Sequence, residues 1–161
     1  MTTDATLAIR LATEADLPSV VRLLADDVLG AAREAYAEPL PEAYRTAFAA
    51  MQAQSGNDLV VATVAGEVAG CLQLTVIAGI SRQGASRAQI EGVRVASSQR
   101  GRGVGEALVR HAIARARGAG CALVQLTTDS SRADARRFYE RLGFAATHIG
   151  MKMRLDVPDA P

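Results

Sequence analysis

A glycine-rich turn from Gln99 to Gly105 contains the residues best suited to binding a charged ligand. It lies between a predicted strand that ends at Val95 and a predicted amphipathic helix from Val104 to about Arg117. Its three glycines stand at alternate positions, at Gly101, Gly103 and Gly105. Glycine accepts positive φ and places no side chain before the backbone, so several N–H groups can converge at the start of the helix. Arg100 and Arg102 add two full charges, and the turn therefore predicts a phosphate or pyrophosphate ligand.

Two familiar nucleotide-binding motifs do not fit this turn. A P-loop requires a lysine directly after its last glycine, whereas the only lysine of the chain is Lys152. A dinucleotide fingerprint requires glycine where this chain has Glu106, and it normally opens the first strand–helix unit of its domain. The pattern that remains is Arg100-x-x-Gly103-x-Gly105 between a strand and a helix, which is more specific than glycine content alone.

Hydrophobic periodicity predicts the elements that position this turn. Strands are predicted at Leu7–Leu11, Leu59–Val64, Val68–Ile77, Ala88–Val95, Cys121–Thr127, Ala145–His148 and Met151–Leu155. Helices are predicted at Leu17–Val28, Glu42–Gln54, Val104–Arg117 and Ser131–Leu142. Neither an internal repeat nor a linker interrupts them. We therefore expect one domain over residues 1–161, with an α/β (α+β) fold and a mixed sheet of about seven strands.

Composition and charge exclude several classes of protein. The chain has 161 residues, of which 49% are hydrophobic and 22% are charged, as in a packed soluble protein. Its net charge of +1 argues against general nucleic-acid binding. Residues 1–5 lack the features of a signal peptide, and no apolar run has the length that spans a bilayer. We expect a cytoplasmic protein without a membrane or nucleic-acid partner.

Charge is segregated along the chain. Residues 14–42 hold seven acidic residues against Arg22 and Arg33, whereas residues 82–117 hold eight arginines against two glutamates. Two solvated faces would explain this, and so would an acidic wall and a basic wall that serve different ligands. The two cysteines, Cys71 and Cys121, lie in apolar runs without a neighbouring cysteine or histidine cluster, which predicts buried reduced thiols and no metal site.

The whole pattern resembles the GCN5-related N-acetyltransferase (GNAT) family. The resemblance rests on Arg100-x-x-Gly103-x-Gly105, on the preceding Ile90–Val95, and on the Phe-Tyr-x-x-x-Gly-Phe run of residues 138–144. It covers nearly the whole chain in the right order of elements. It implies a mostly antiparallel sheet with helices on both faces, whose strands 88–95 and 121–127 splay apart in the middle to admit acetyl-CoA, with no metal.

The resemblance also implies which residues contact acetyl-CoA. The main chain of Val93 and Val95 would pair with the pantetheine arm, and the amides of residues 100–105 would hold the pyrophosphate. Many relatives have an asparagine before the last predicted helix, for which Ser131 and Arg132 are the candidate replacements here. The expected cofactor-binding set is Val93, Arg94, Val95, Arg100, Gly101, Arg102, Gly103, Val104, Gly105, Ser131 and Arg132.

Acetyl transfer to an amine needs a base for the ammonium and an acid for the departing thiolate. Strict alternation places Glu91 on the same face as Val93 and Val95, near the thioester, which makes it the candidate base; otherwise it is an ordinary strand carboxylate. The resemblance makes Tyr139 the candidate acid, with a core aromatic residue as the alternative. A main-chain N–H near Val93 would polarise the acetyl carbonyl.

The acceptor is predicted from charge. Within the family, the first two helices wall the acceptor side, so the acidic residues 14–42 suggest a cationic or zwitterionic small-molecule amine. Candidate acceptor contacts are Glu34, Glu38, Glu91 and His148. A homodimer is common among similar proteins, although no feature here selects one. A non-catalytic acyl-CoA-binding sensor would keep the same glycine turn, and nothing in the sequence excludes it.

Overall fold

A five-stranded sheet with the strand order β1-β2-β3-β4-β5 organises the chain. The computed structural model describes residues 6–26 and 28–155. In these, the strands are β1 (Leu7–Leu11), β2 (Asn57–Val64), β3 (Glu67–Ile77), β4 (Arg87–Val95) and β5 (Leu123–Leu126). The helices are α1 (Leu17–Ala25), α2 (Val28–Ala31), α3 (Glu42–Gln52), the single turn α4 (Ser81–Gly84), α5 (Val104–Gly118) and α6 (Ala133–Arg141). The first four strands are antiparallel neighbours, and β5 pairs parallel with β4.

The mixed, mostly antiparallel sheet confirms the predicted fold class, but the described residues form five strands and not seven. Residues 145–154 take no regular secondary structure, although strands were predicted at 145–148 and 151–155. Four apolar side chains of residues 145–155 are almost fully exposed: Ile149, Met151, Met153 and Leu155. Alternation of apolar residues indicates which side chains share a face, but it does not supply the neighbouring strand that a ladder requires.

Side-chain alternation in β2 and β3 produces two sheet faces. Val60 and Leu72, both fully buried, belong to the face that α5 covers. Gly70 permits this packing, because a Cβ at that position would lie 2.9 Å from Leu108 Cδ1. Val61 and Cys71 point to the opposite face, where they join a core cluster with residues of α1 and α3. Helices therefore lie on both faces, as expected.

The chain divides into two compact units, residues 1–126 and residues 127–161. The first contains the whole sheet, the glycine turn and α5. The second contains α6 and the irregular segment that follows it. Glu91 and the glycine turn thus belong to the first unit, whereas Tyr139, Ser131, Arg132 and His148 belong to the second.

A buried carboxylate fixes the entry into α1. Asp16, whose side chain is 9% exposed, accepts two hydrogen bonds from Arg10 at 2.6 and 2.8 Å. It also accepts from the backbone N–H and the hydroxyl of Thr13, at 2.7 and 3.0 Å. The bond from Arg10 is the main reason why the pKa of Asp16 is held well below its ordinary value of 3.8. The ionised carboxylate therefore stabilises the folded state.

We expect Asp16→Asn to lower the free energy of unfolding by about 1–2 kcal/mol at pH 7, because Arg10 and Thr13 lose a charged acceptor. A depressed folded-state pKa stabilises the protein above the unfolded pKa and ceases to do so as the pH falls through the folded value. The deficit should therefore shrink below about pH 4. Urea unfolding of both proteins at neutral and acidic pH measures this. Asp134→Asn, at a side chain that is 96% exposed, is the control, and an equal deficit there would contradict the assignment.

Candidate functional site

The pairing between β4 and β5 stops halfway along β4. Their parallel ladder runs from Arg87–Leu123 to Ile90–Leu126. Beyond it, residues 91–95 are paired in this sheet only with β3. One backbone edge of this stretch consequently lies outside the ladder, where an extended ligand can add as a further strand. This is the place at which the resemblance predicts the splay.

The carbonyl groups assigned to pantetheine have side-chain donors in the structure. Val93 O accepts from Arg94 Nη1 at 2.9 Å, and Val95 O accepts from Arg100 Nε at 3.3 Å. A carbonyl oxygen has two lone pairs, so each retains the capacity for a second hydrogen bond. Arg94 and Arg100, which were predicted as cofactor contacts, thus donate to the carbonyl groups of Val93 and Val95.

A β-bulge interrupts β4 directly after Glu91. Gln73 pairs with Glu91 and Cys71 pairs with Arg94, so two residues of β4 stand opposite Leu72. Gly92 has φ +61° at this point, a conformation that L side chains rarely adopt. Bulges are frequent beside ligand sites because they redirect the side chains that follow.

The bulge corrects the alternation expected for β4. Because residues directly opposite each other in a ladder share a face, Glu91 lies with Gln73 and Arg94 lies with Cys71. Arg94, and not Val93, therefore shares the face of Glu91. Sequence alternation gave the wrong result here because it assumes a regular strand, and a bulge adds one residue to the count.

The N-terminus of α5 is an open cradle of N–H groups. Gly103 is the residue before the helix, with φ +81° and no side-chain cap. The first intrahelical hydrogen bond runs from Ala107 N to Gly103 O at 2.9 Å, so the N–H groups of residues 104–106 lack an intrahelical acceptor. A Cβ at Gly103 would meet no atom within 4 Å. The helix is 15 residues long, and its dipole adds partial positive charge to this end.

Two exposed arginines, Arg100 and Arg102, directly precede this cradle in the chain. Arg100 lies 3.9 Å from the carboxylate of Asp26, and its side chain and that of Arg102 are exposed. The one acidic residue of the first turn, Glu106, accepts from Arg110 at 2.8 Å. That ion pair compensates the only negative charge in the first turn of α5, and the site keeps its preference for an anion.

The predicted acidic acceptor wall is extensively paired. Glu34 accepts from the Tyr44 hydroxyl at 2.8 Å, and Glu38 accepts from the Tyr36 hydroxyl at 2.6 Å and lies 3.7 Å from Arg22. The pKa of Tyr44 is raised, first by its burial. These bonds order the segment between α2 and α3, and local donors partly compensate its negative charge.

The predicted site residues of the second unit have local partners. Tyr139 is half-buried, and its ring makes edge contacts with Phe138 and Phe144 at centroid distances of 5.1 and 5.9 Å. The backbone N–H and the hydroxyl of Ser131 donate to Asp129 at 3.0 and 2.6 Å. Arg132 directly precedes α6. The exposed His148 has its Nδ1 2.7 Å from Thr147 Oγ1.

A polar row on the sheet was not predicted from the sequence. We call it the amide row, and its members are Asn57, Gln73, Thr75, Gln89 and Gln125. Gln73 donates to Asn57 at 2.9 Å, and Gln125 donates to Gln89 at 2.8 Å. The amide row lies on the same sheet face as Glu91, next to the part of that face that α1 and α3 cover. Polar residues at alternate positions of otherwise apolar strands were the available signal.

The residues that the structure describes indicate neither thiol chemistry nor a metal site. Cys71 is 1% exposed, and burial raises the pKa of its thiol to about 12, so it is protonated at neutral pH and unreactive. Cys121 is a free, half-buried thiol that precedes β5. Among residues 6–26 and 28–155, no cluster of histidine, cysteine, aspartate or glutamate side chains could hold a metal ion.

Comparisons with known proteins assign this arrangement. The model of the acetyltransferase (GNAT) family matches residues 25–144, which include the glycine turn, the bulged strand and the Phe-Tyr run. The chain belongs to the GNAT family. It is thus an acetyltransferase by family, and the resemblance stated from the sequence is confirmed. No curated protein sequence gives a significant match.

Solved structures place the chain among other members of the GNAT family. A chain described as a transcriptional regulator from Bacillus halodurans C-125 is 51% identical, with TM-score 0.91, over 93% of this chain and 100% of that one. A Trypanosoma brucei acetyltransferase is 30% identical, with TM-score 0.75, over 93% and 100%. An aminoglycoside N-acetyltransferase in complex with CoA shares the fold at 17% identity, with TM-score 0.78, over 98% and 99%. Within the described residues, no helix of this GNAT protein is long and apolar enough to cross a membrane.

Proposed function

We propose that this GNAT protein is a cytoplasmic enzyme that transfers the acetyl group of acetyl-CoA to a primary amine of a small cationic or zwitterionic acceptor, directly in a ternary complex. The proposal rests on two backbone segments that are close in sequence and can each bind part of a ligand. Residues 91–95 extend beyond the β4–β5 ladder, and the uncapped start of α5 follows within ten residues. One segment suits an extended amide-bearing arm, and the other suits a diphosphate.

The residues present fit CoA. The open space before Gly103 and the N–H groups of residues 104–106 suit the diphosphate, together with Arg100 and Arg102. The backbone of Val93 and Val95 suits the amides of pantetheine. We assign Ser131 and Arg132, at the start of α6, to the contact that an asparagine makes in many relatives.

The reaction joins the amine nitrogen to the acetyl carbon and breaks the thioester C–S bond. Acetyl-CoA supplies the activated acetyl group. Glu91 takes a proton from the acceptor ammonium through a water molecule, which exposes the nitrogen lone pair. A backbone N–H near Val93 stabilises the developing oxyanion. Tyr139 donates its phenolic proton to the departing thiolate, and it regains a proton from the acceptor nitrogen, which must lose its second proton to become a neutral amide. Glu34, Glu38 and His148 contact the acceptor.

A panel of primary amines tests the proposal. Purified protein and acetyl-CoA are incubated with amino acids, peptides, polyamines and amino sugars, and the release of CoA thiol is measured. We expect amine-dependent release with at least one class. CoA binding without release for any amine would favour the acyl-CoA-binding sensor instead, and it would refute the enzymatic assignment.

The description of the 51% identical Bacillus halodurans chain as a transcriptional regulator raises DNA binding as a second candidate function. The net charge of +1 is unfavourable for it, because affinity for DNA comes largely from phosphate neutralisation. Titration of the protein with labelled duplex DNA at low salt separates the two. Saturable binding that weakens steeply with salt would favour regulation by contact with DNA.

We expect Tyr139→Phe to lower kcat by about 10- to 100-fold and to leave the Kd of CoA nearly unchanged. The substitution removes the phenolic proton and keeps the ring against Phe138 and Phe144. Steady-state kinetics together with a CoA titration measures both quantities. A normal kcat for Tyr139→Phe would remove Tyr139 from the mechanism and leave it as a packing residue.

A further inference from the structure

A basic cavity lies where β4 and β5 begin. It has a volume of about 200 Å³ and is lined by Arg82, Arg87, Ser81, Ser86 and Gln125 among others. None of the residues that line it is acidic. We call it the arginine pocket. Two guanidinium groups and two hydroxyls in a space of this size suit one oxyanion, either a carboxylate or a phosphate.

The backbone around the arginine pocket is arranged for these two arginines. Arg82 and Gln83 both have positive φ, 55° and 61°, which costs energy in residues other than glycine and is typical of functional loops. A Cβ at Gly79 would lie 3.6 Å from Arg87 Nη1 and 3.2 Å from Ala85 O. Glycine at this position relieves the close approach to Ala85 O, and the guanidinium of Arg87 lies at ordinary contact distance beside the loop.

Within the part of the chain that the structure describes, no carboxylate forms an ion pair with either arginine. Across residues 6–26 and 28–155, the ion pairs involve other arginines and include neither Arg82 nor Arg87. Arg87 is half-buried. A partly buried cation without a carboxylate partner gains more from a bound anion than an exposed one does.

The arginine pocket, the amide row and Glu91 lie in one line. Arg87, Gln89 and Glu91 alternate on one side of β4 before the bulge, with Gln89 opposite Thr75 and Glu91 opposite Gln73. At about 3.3 Å per residue, Arg87 and Glu91 are roughly 13 Å apart along the strand. Gln125 belongs to both the pocket lining and the amide row. Polar side chains therefore continue along this face of the sheet from the guanidinium groups of the arginine pocket to the carboxylate of Glu91.

The geometry points to an acceptor that carries an oxyanion at the end remote from its reactive amine. This inference rests on the proposed acetyl transfer, and it names the acceptor class. The oxyanion binds Arg82 and Arg87, a polar body lies on the amide row, and the amine reaches Glu91, roughly 10 Å from the anion. A free α-amino acid is too short to span this distance with its α-amine. A side-chain amine of a longer amino acid, a short peptide or an amino-sugar phosphate is long enough.

Matched acceptors test the inference. CoA release is measured with 6-aminohexanoate, 6-aminohexyl phosphate and the neutral 6-aminohexan-1-ol, and comparison of the first two distinguishes carboxylate from phosphate. We expect kcat/KM for at least one anionic acceptor to exceed that of the alcohol by about tenfold or more. Arg87→Gln and the more exposed Arg82→Gln should abolish that preference by raising KM, with kcat and the KM of acetyl-CoA unchanged. Arg117→Gln, on the exposed end of α5, is the control.

Equal use of the anionic and neutral acceptors by the wild-type protein would overturn the inference. So would a preference that survives in Arg82→Gln and in Arg87→Gln. If no amine is acetylated, the proposed function fails, and calorimetric titration with 6-aminohexyl phosphate and 6-aminohexanoate still decides about the pocket. Binding of either that is lost in both variants and kept in Arg117→Gln upholds the oxyanion site, whereas no binding of either refutes it.

Discussion

Gly103→Val abolishes CoA binding while the protein remains folded. Valine at φ +81° is strained, and we expect its branched side chain to fill the open space around Gly103, next to the first N–H groups of α5. A diphosphate that needs contact with those N–H groups is thereby excluded. We expect the Kd of CoA to rise by at least 100-fold, which corresponds to the loss of several charge-assisted hydrogen bonds.

The strain itself needs a matched control, which Gly66 provides. Gly66 has φ +86°, and a Cβ there would also meet nothing within 4 Å, but it lies in the turn between β2 and β3. Gly66→Val should therefore show a comparable loss of thermal stability and normal CoA binding. Equal CoA affinity in Gly103→Val and Gly66→Val would contradict the role of the α5 N-terminus.

Glu91→Gln lowers kcat/KM for the amine by about 100- to 1000-fold at neutral pH, because the acceptor ammonium loses its base. The loss is largest at low pH, where nearly all of the amine is protonated, and it shrinks as the pH approaches the pKa of the amine. CoA affinity stays the same, because Glu91 carries no assigned contact with the diphosphate. Steady-state rates from about pH 6 to pH 10 measure the effect.

The control for this substitution is Glu67→Gln. Glu67 is an exposed strand carboxylate at the start of β3, and its removal should change neither the rate nor the pH profile. If Glu91→Gln gives a profile parallel to that of the wild type, Glu91 is not the base. The amide row would then be a binding surface alone, without a proton acceptor at its end.

The glycine turn and α5 could be predicted from the sequence because their signals are local. α5 runs from Val104 to Gly118, within one residue of the predicted helix, since glycine and the apolar stripe act within a few residues. The bulge after Glu91 depends on pairing with β3, some 20 residues away, so the alternation of neighbouring residues cannot predict it. For that reason Val93 and Val95 were wrongly expected on the same face as Glu91.

The end of the chain shows the same limit. Strands were predicted at residues 145–148 and 151–155, but a strand exists only where a neighbour satisfies its backbone groups. The arginine pocket was also outside the reach of sequence analysis. Arg82 and Arg87 were counted within a basic region, and only the left-handed turn α4 brings both to one cavity.

Isothermal titration of the purified protein with CoA tests the central claim, that the backbone at the start of α5 holds a diphosphate. We predict saturable binding of one CoA per chain, weakened by pyrophosphate as a competitor and absent in Gly103→Val. A flat titration with the folded wild-type protein, or binding that Gly103→Val leaves intact, would contradict the account.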